Sequence, residues 1–174
     1  MSRIVSWGLT PLVLAVLVAP ASLSAVASAK AGGQALTRRD MSLQIARVMA
    51  DASIAACLKE GSTNITVAVV DRAGDLVLLH RSDAANPHNG ELARRKAYTA
   101  RTYGMTTLQF RDRTVSGEFV GQRMLSEVVA LGGGVPIRLG NELIGAIGLS
   151  GSPMQEVDEK CALAGIAAAA SLLK

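Results

Sequence analysis

The stretch GGGVPIRLGNELIGAIGLSG, residues 132–151, decides the fold of this chain. It holds seven of the chain's seventeen glycines around two short apolar runs, residues 135–139 and 143–149. Glycine weakens a strand interior, so such a cluster indicates tight turns or the close approach of another backbone or a ligand. The pair Gly140-Asn141 between the runs predicts an antiparallel hairpin.

The residues after this hairpin predict the last helix of the chain. Ser152 is expected to cap it, with Pro153 at the first helical position and Gln155 completing a capping box. Backbone N–H groups at residues 148–152 are also suited to binding a carboxylate or phosphate. Self-capping by Ser152 and anion binding are both open interpretations of this segment.

Upstream of this segment, the sequence predicts a first helix, a first hairpin and further helices, without an internal repeat. A helix is expected to begin near Thr37, with Asp40 in its first turn, and to end at Gly61. Two strands, residues 65–70 and 76–80, flank a turn and form a first hairpin. Helices are expected over residues 91–103 and from residue 106, and a helix or irregular apolar segment over 122–131. This order predicts an α+β fold in which helices flank an antiparallel sheet.

The N-terminal residues 1–29 have the pattern of a secretory signal peptide. A short apolar run follows Arg3, and Ala27-Ser28-Ala29 matches an A-x-A cleavage site. We expect cleavage there, a flexible tail over residues 30–36 and a single domain over residues 37–174. The predicted location is the periplasm or the exterior, without a stable membrane anchor after cleavage.

Composition argues against nucleic acid as a partner. Removal of the signal takes away one cation, Arg3, so the formal net charge falls from +4 to +3, and aromatic residues make up only 3% of the chain. The remaining basic residues are scattered rather than clustered on one element.

The two cysteines, Cys57 and Cys161, allow two interpretations. They are either small buried side chains or one disulfide that joins the first and last helices, which an exported protein is able to keep. Zinc motifs need paired cysteines, and these are absent from the sequence.

Catalytic motifs are missing. The chain has no phosphate-binding loop and no G-x-S-x-G elbow, and it has only two histidines. His80 falls on a strand, whereas His88 falls in a loop just before a helix, where its side chain is able to reach a ligand. The run Arg94-Arg95-Lys96 is either a solvated face or a partner for acidic groups.

Several ordered motifs resemble those of the GlcG/HbpS family, which includes the C-terminal domain of PduO-type proteins. The matching stretches are Val67-Ala68-Val69-Val70-Asp71, Arg81-Ser82-Asp83-Ala84, Lys96-Ala97-Tyr98-Thr99-Ala100, Gly133-Gly134-Val135-Pro136-Ile137, Ile144-Gly145-Ala146-Ile147-Gly148 and Gln155-Glu156 with Asp158 and Cys161. The resemblance spans roughly residues 36–168. The sequence departs from the family pattern at two places. Ala84 stands where the family often has glycine, and Met105 replaces the residue that often precedes the threonine at the position of Thr106.

This resemblance implies a profilin-like sandwich, a homo-oligomer and, for exported members, haem as a ligand. The family's haem contacts map here onto residues 81–89, Lys96 and Thr99, and Thr106 matches a threonine implicated in haem binding in one branch of the family. Haem iron suits a histidine ligand, so His88 in this loop is the candidate iron ligand, with Arg81, Arg94 or Lys96 near the haem propionates.

Three functions follow as hypotheses. The first is an exported haem-binding protein for sequestration, transport or sensing. The second is an enzyme or accessory factor for a small hydroxy acid or related metabolite, held at residues 148–152. The third is an oligomeric structural or interaction module.

Overall fold

The computed structural model describes residues 36–174, of which Thr37–Lys174 form one compact unit. The predicted signal peptide and most of the predicted tail lie outside the described residues. The main elements are α1 (Leu43–Lys59), β1 (Thr66–Val70), β2 (Leu76–Arg81), α2 (Asn89–Tyr103), α3 (Thr107–Arg113), β3 (Gly134–Leu139), β4 (Glu142–Ser150) and α4 (Gln155–Ala168). Two 3₁₀ helices, Gly117–Met124 and Ala170–Leu172, complete the set.

The four strands form one antiparallel sheet in the order β2-β1-β4-β3. Both predicted hairpins are present, and the inner strands β1 and β4 join them. Every residue of β1 is buried, because helices cover both faces of the sheet. This arrangement confirms the predicted α+β fold with an antiparallel sheet flanked by helices.

The larger core lies between one sheet face and the pair α1 and α4. It includes Met49, Val67, Ile137, Ile147 and Leu149, all of them almost fully buried. Cys57 of α1 and Cys161 of α4 form a disulfide within this core, with Cα atoms 5.5 Å apart. Of the two interpretations of the cysteines, the structure has the disulfide.

Helix α2 lies against the opposite face of the sheet, where small side chains bring the backbones close together. Ala97 and Ala100 pack there on Val70 and Ala146. A methyl group at Gly148 would collide with the carbonyl oxygen of Ala93. The glycines of the opening stretch therefore create the space in which α2 lies.

The predicted start of α1 at Thr37 is wrong by about six residues. Helix α1 begins at Leu43, and Ser42 caps it by accepting a hydrogen bond from the N–H of Ile45 at 3.3 Å. Asp40 instead accepts hydrogen bonds from the N–H groups of Met41 and Arg72, each at 2.8 Å. Its carboxylate thus holds the N-terminal segment to the β1–β2 turn.

The predicted capping box at Ser152 is also wrong. Helix α4 begins at Gln155, and Met154 precedes it without a side-chain cap. The Ser152 hydroxyl lies 3.9 Å from Cys57 Sγ, and because that sulfur is in a disulfide, only Ser152 is able to donate. The Ser152 side chain is therefore directed at the core and leaves the helix end uncapped.

The segment expected to be a helix or irregular over residues 122–131 is mostly irregular. The 3₁₀ helix ends at Met124, and residues 125–133 form no further helix before β3 begins.

Candidate functional site

A cleft of about 310 Å³ opens between the start of α2 and the segment that leads from β4 into α4. Its walls include His88, Asn89, Lys96, Ser150, Gln155 and Asp158. Four of these, Asn89, Lys96, Ser150 and Asp158, are only 2–3% exposed. Buried polar side chains at the base of an open cleft are the usual means of orienting a small ligand.

A buried ion pair forms the base of this cleft. Lys96 Nζ lies 2.8 Å from Asp158 Oδ2, and each side chain is 3% exposed. Lys96 also donates to the carbonyl oxygen of Leu149 at 2.8 Å, and Asp158 Oδ1 accepts from the N–H of Ser152 at 3.1 Å. Because burial disfavours a charge, it lowers the pKa of Lys96, and the nearby Asp158 carboxylate only partly opposes this.

Asn89 ties the start of α2 to the sheet beside this pair. Its side-chain amide donates to the carbonyl oxygen of Asn64 at 3.0 Å, and its Oδ1 accepts from Ser150 Oγ at 3.2 Å. The carbonyl partner fixes which way the amide points, since only the nitrogen is able to donate to it.

Gln155 closes the other side of the cleft. Its Oε1 accepts from the N–H of Gly132 at 2.8 Å and from Arg111 at 3.3 Å. Both partners are donors, so the amide nitrogen of Gln155 must point away from them.

A second cleft of about 270 Å³ adjoins the first along α2 and is lined by His88, Glu91, Leu92 and Arg95. These residues recur at helical spacing and share one face of the helix start. His88 and Leu92 line both clefts. Arg95 donates to the carbonyl oxygen of Val128 at 2.9 Å, while its buried Nε has no hydrogen-bond partner among residues 36–174.

The structure brings two of the predicted ligand residues, His88 and Lys96, to the first cleft. His88 immediately precedes α2, is exposed, and makes no capping hydrogen bond with its side chain. The ammonium of Lys96 is held by Asp158 and Leu149, so it is a wall of the cleft rather than a free surface cation.

The other four predicted residues line neither cleft. Arg81 ends β2 and is exposed. Arg94 pairs with Glu127. The buried Thr99 hydroxyl donates to the carbonyl oxygen of Arg95 and accepts from the N–H of Val129. Thr106 caps α3 through a capping box with Gln109.

Sequence reasoning did not single out Asn89, Gln155 or Asp158 as parts of the site, and it named Arg95 only within the basic run Arg94-Arg95-Lys96. Asp158 looks like a first-turn charge of α4, yet it is buried against Lys96. Helical spacing favours Arg95 within that run, because it lies seven residues after His88 and therefore on the same helical face.

The described part of the chain has neither a cluster of metal-binding side chains nor a membrane-spanning helix. Residues 36–174 contain no group of three or more His, Cys, Asp or Glu side chains arranged to hold a metal ion. Within the same residues, no helix is both long and apolar enough to cross a membrane.

Comparison with known proteins identifies relatives over most of the described chain. Residues 41–167 match the family model described as haem degrading protein HbpS-like. Protein GlcG of Escherichia coli K12 is 33% identical over 111 residues, which cover 61% of this chain and 81% of that protein.

Two solved structures extend the comparison to three dimensions. A double mutant of HbpS from Streptomyces reticuli superposes with a TM-score of 0.73 at 31% identity, covering 78% of this chain and 91% of that one. PduOC, crystallised as a haem complex, superposes with a TM-score of 0.68 at 26% identity, covering 75% of this chain and 95% of that one. The match over residues 41–167, together with these likenesses in sequence and fold, shows that the chain belongs to the GlcG/HbpS family, the HbpS-like proteins.

Proposed function

We propose that this protein is an exported haem-binding protein, and that haem docks along the start of α2 with His88 as the iron ligand. The observation that carries the proposal is the position of His88. Its imidazole is exposed at the rim that the two clefts share. Support also comes from the haem-related family model and from the likeness to a protein crystallised with haem.

The residues around His88 suit the chemistry of haem. Imidazole nitrogen is a common axial ligand of haem iron. Leu92 provides an apolar contact on the same helical face, and Arg95, which lines the second cleft, offers a guanidinium for a propionate. Bound haem would supply redox chemistry at its iron, while the chain's own residues bind and orient it.

Either cleft alone is smaller than a porphyrin, so we expect haem to lie across both clefts and remain partly exposed. Arg95 takes the place that the sequence suggested for Arg94, which pairs with Glu127 and lines neither cleft. Arg81 is exposed on β2 and lines neither cleft.

Haem titration of the purified mature protein tests this proposal. We expect a saturable Soret shift, and in His88→Ala an affinity lower by on the order of tenfold or more, because metal-site substitutions commonly cost that much. His80→Ala is the matched control, since the other histidine lies on β2 beside Asp51 and lines neither cleft. The absence of a Soret shift in the wild-type protein contradicts haem binding, whereas an unchanged His88→Ala contradicts only the assigned ligand.

Export is the second part of the proposal. The Cys57–Cys161 disulfide supports it, because disulfides persist in oxidising compartments and are rare in the cytosol. We expect the mature protein to begin at Lys30, after cleavage following Ala29. Mass spectrometry of the protein from periplasmic and culture fractions measures this directly, and an uncleaved chain confined to the cytosol contradicts it.

The small-acid hypothesis at residues 148–152 loses one of its supports. The N–H of Ser152 donates to Asp158 Oδ1, so this backbone donor is already used by a carboxylate of the protein itself.

A further inference from the structure

The first cleft has an imbalance between hydrogen-bond donors and acceptors. The side-chain carbonyl and carboxylate oxygens of three wall residues already receive hydrogen bonds: Asp158 from Lys96 and Ser152, Asn89 from Ser150, and Gln155 from Gly132 and Arg111. The carbonyl oxygen of Leu149 likewise accepts from Lys96. The walls therefore offer a ligand few acceptors that are still free.

The donors are in surplus. An ammonium has three N–H bonds and a side-chain amide nitrogen has two. Lys96 uses two of its three and Asn89 uses one of its two, while the amide nitrogen of Gln155 has no partner among residues 36–174. At least four N–H bonds in the cleft walls thus lack a protein partner within the described part of the chain.

The charges of the buried pair match this imbalance. Lys96 neutralises Asp158, so the cleft floor carries no net negative charge to repel an anion. A carboxylate has two oxygens that only accept hydrogen bonds, and bonds from a charged donor to it are among the stronger ones in proteins.

We propose that this cleft is a binding site for a small carboxylate group, held by the free N–H bonds of Lys96, Asn89 and Gln155. The group comes either from a free small organic acid or from a propionate of haem docked at the neighbouring cleft. The first source does not depend on haem binding, and the volume of about 310 Å³ restricts it to small acids.

Gln155→Glu is the sharpest substitution for testing this site. It keeps the acceptor that Gly132 and Arg111 need, but it removes both donors and adds a negative charge facing the ligand. The matched control is Gln109→Glu, which adds the same charge outside the cleft and keeps the acceptor that the Thr106 N–H requires in the capping box.

The experiment is an NMR titration of the ¹⁵N-labelled mature protein without haem, using acetate with acetamide as the neutral analogue. We expect acetate to shift the amide signals of Gly132, Gly151 and Ser152 saturably. Acetamide should bind the wild type on the order of tenfold more weakly or worse, because a charge-assisted hydrogen bond is lost. Acetate should bind the Gln155→Glu variant more weakly by a similar factor, because a like charge is introduced. The Gln109→Glu variant should match the wild type.

A parallel titration with haem and with haem dimethyl ester separates the two sources. If acetate does not saturate, but esterification and Gln155→Glu each weaken haem binding, the carboxylate is a propionate. If acetate binds, the source is a free acid. The proposal is overturned if acetate fails to bind and neither esterification of haem nor Gln155→Glu changes the haem affinity. It is also overturned if acetate binds Gln155→Glu as well as it binds the wild type. A missing Soret shift beside intact acetate binding contradicts the haem proposal alone.

Discussion

At the scale of single residues, the decisive feature is a charge pair that is removed from water. Isolated charges at 3% exposure would be strongly unfavourable. Lys96 and Asp158 are tolerated there because each has a further hydrogen bond, to Leu149 and from Ser152. Such a pair adds little net stability by itself, but removing one partner leaves an uncompensated buried charge.

Asp158→Asn is therefore expected to reduce the free energy of unfolding by about 3–5 kcal/mol at neutral pH. The loss should shrink as the pH rises. Burial holds the pKa of Lys96 below 10.5 in the folded protein, and loss of the Asp158 charge lowers it further. Between the folded and unfolded pKa values the unfolded chain binds more protons, so stability rises with pH in that window.

Urea unfolding at a series of pH values measures this effect. The double variant Lys96→Met/Asp158→Leu is the control, because it removes both charges and should lack this alkaline recovery. An Asp158→Asn variant as stable as the wild type at neutral pH would show that the pair is not energetically coupled.

At the scale of elements, the contact between α2 and the sheet depends on glycine. Gly148 on β4 and Gly134 on β3 lie under the α2 backbone, where added methyl groups would collide with the carbonyl oxygens of Ala93 and Lys96. The same contact places Lys96 within reach of Asp158 and positions His88 at the cleft. The opening glycine stretch therefore shapes the site by setting the distance between a helix and a sheet.

Gly148→Ala is expected to destabilise the protein by about 1–3 kcal/mol or more, since overpacking forces the backbones apart. Gly121→Ala is the control, because a methyl group at Gly121 would meet nothing within 4 Å. Thermal unfolding gives the stability difference, and a shift in the amide signal of Lys96 would show whether α2 has moved. Equal melting temperatures for the two variants would refute this account of the packing.

At the scale of the whole molecule, one disulfide joins the two ends of the fold. Cys57 and Cys161 are 104 residues apart in sequence and connect α1 to α4 across the larger core. The bridge also lies next to Ser152, whose N–H donates to Asp158. The covalent link thus supports the floor of the cleft as well as the fold.

Replacing both cysteines with alanine should cost about 4–5 kcal/mol of unfolding free energy, as expected for closing a loop of roughly one hundred residues. Urea unfolding with and without dithiothreitol measures it. Reductant should lower the stability of the wild type toward that of the double variant and leave the double variant unchanged. If reductant does not destabilise the wild type, the bridge is absent or energetically unimportant.

The sequence by itself determined both hairpins, because β-branched runs separated by turn residues leave few alternatives. The first turn is stabilised locally, because Asp71 Oδ1 accepts from the N–H groups of Ala73 and Asp75 at 2.8 and 2.9 Å. The glycine order also indicated the family. The helix starts at Thr37 and Ser152 were wrong: the Asp40 carboxylate binds the N–H of Arg72, and the Ser152 hydroxyl faces Cys57 instead of the helix end.

Only the tertiary structure decided the composition of the site. Lys96 and Asp158 are 62 residues apart, and Gly132 and Gln155 are 23 apart, and no local pattern specifies such pairings. In sequence Asp158 has the pattern of a surface charge, but in the structure it is buried against Lys96 at the base of the cleft. Periodicity describes one element at a time, whereas the cleft exists because α2, the end of β4 and the start of α4 converge on the same place.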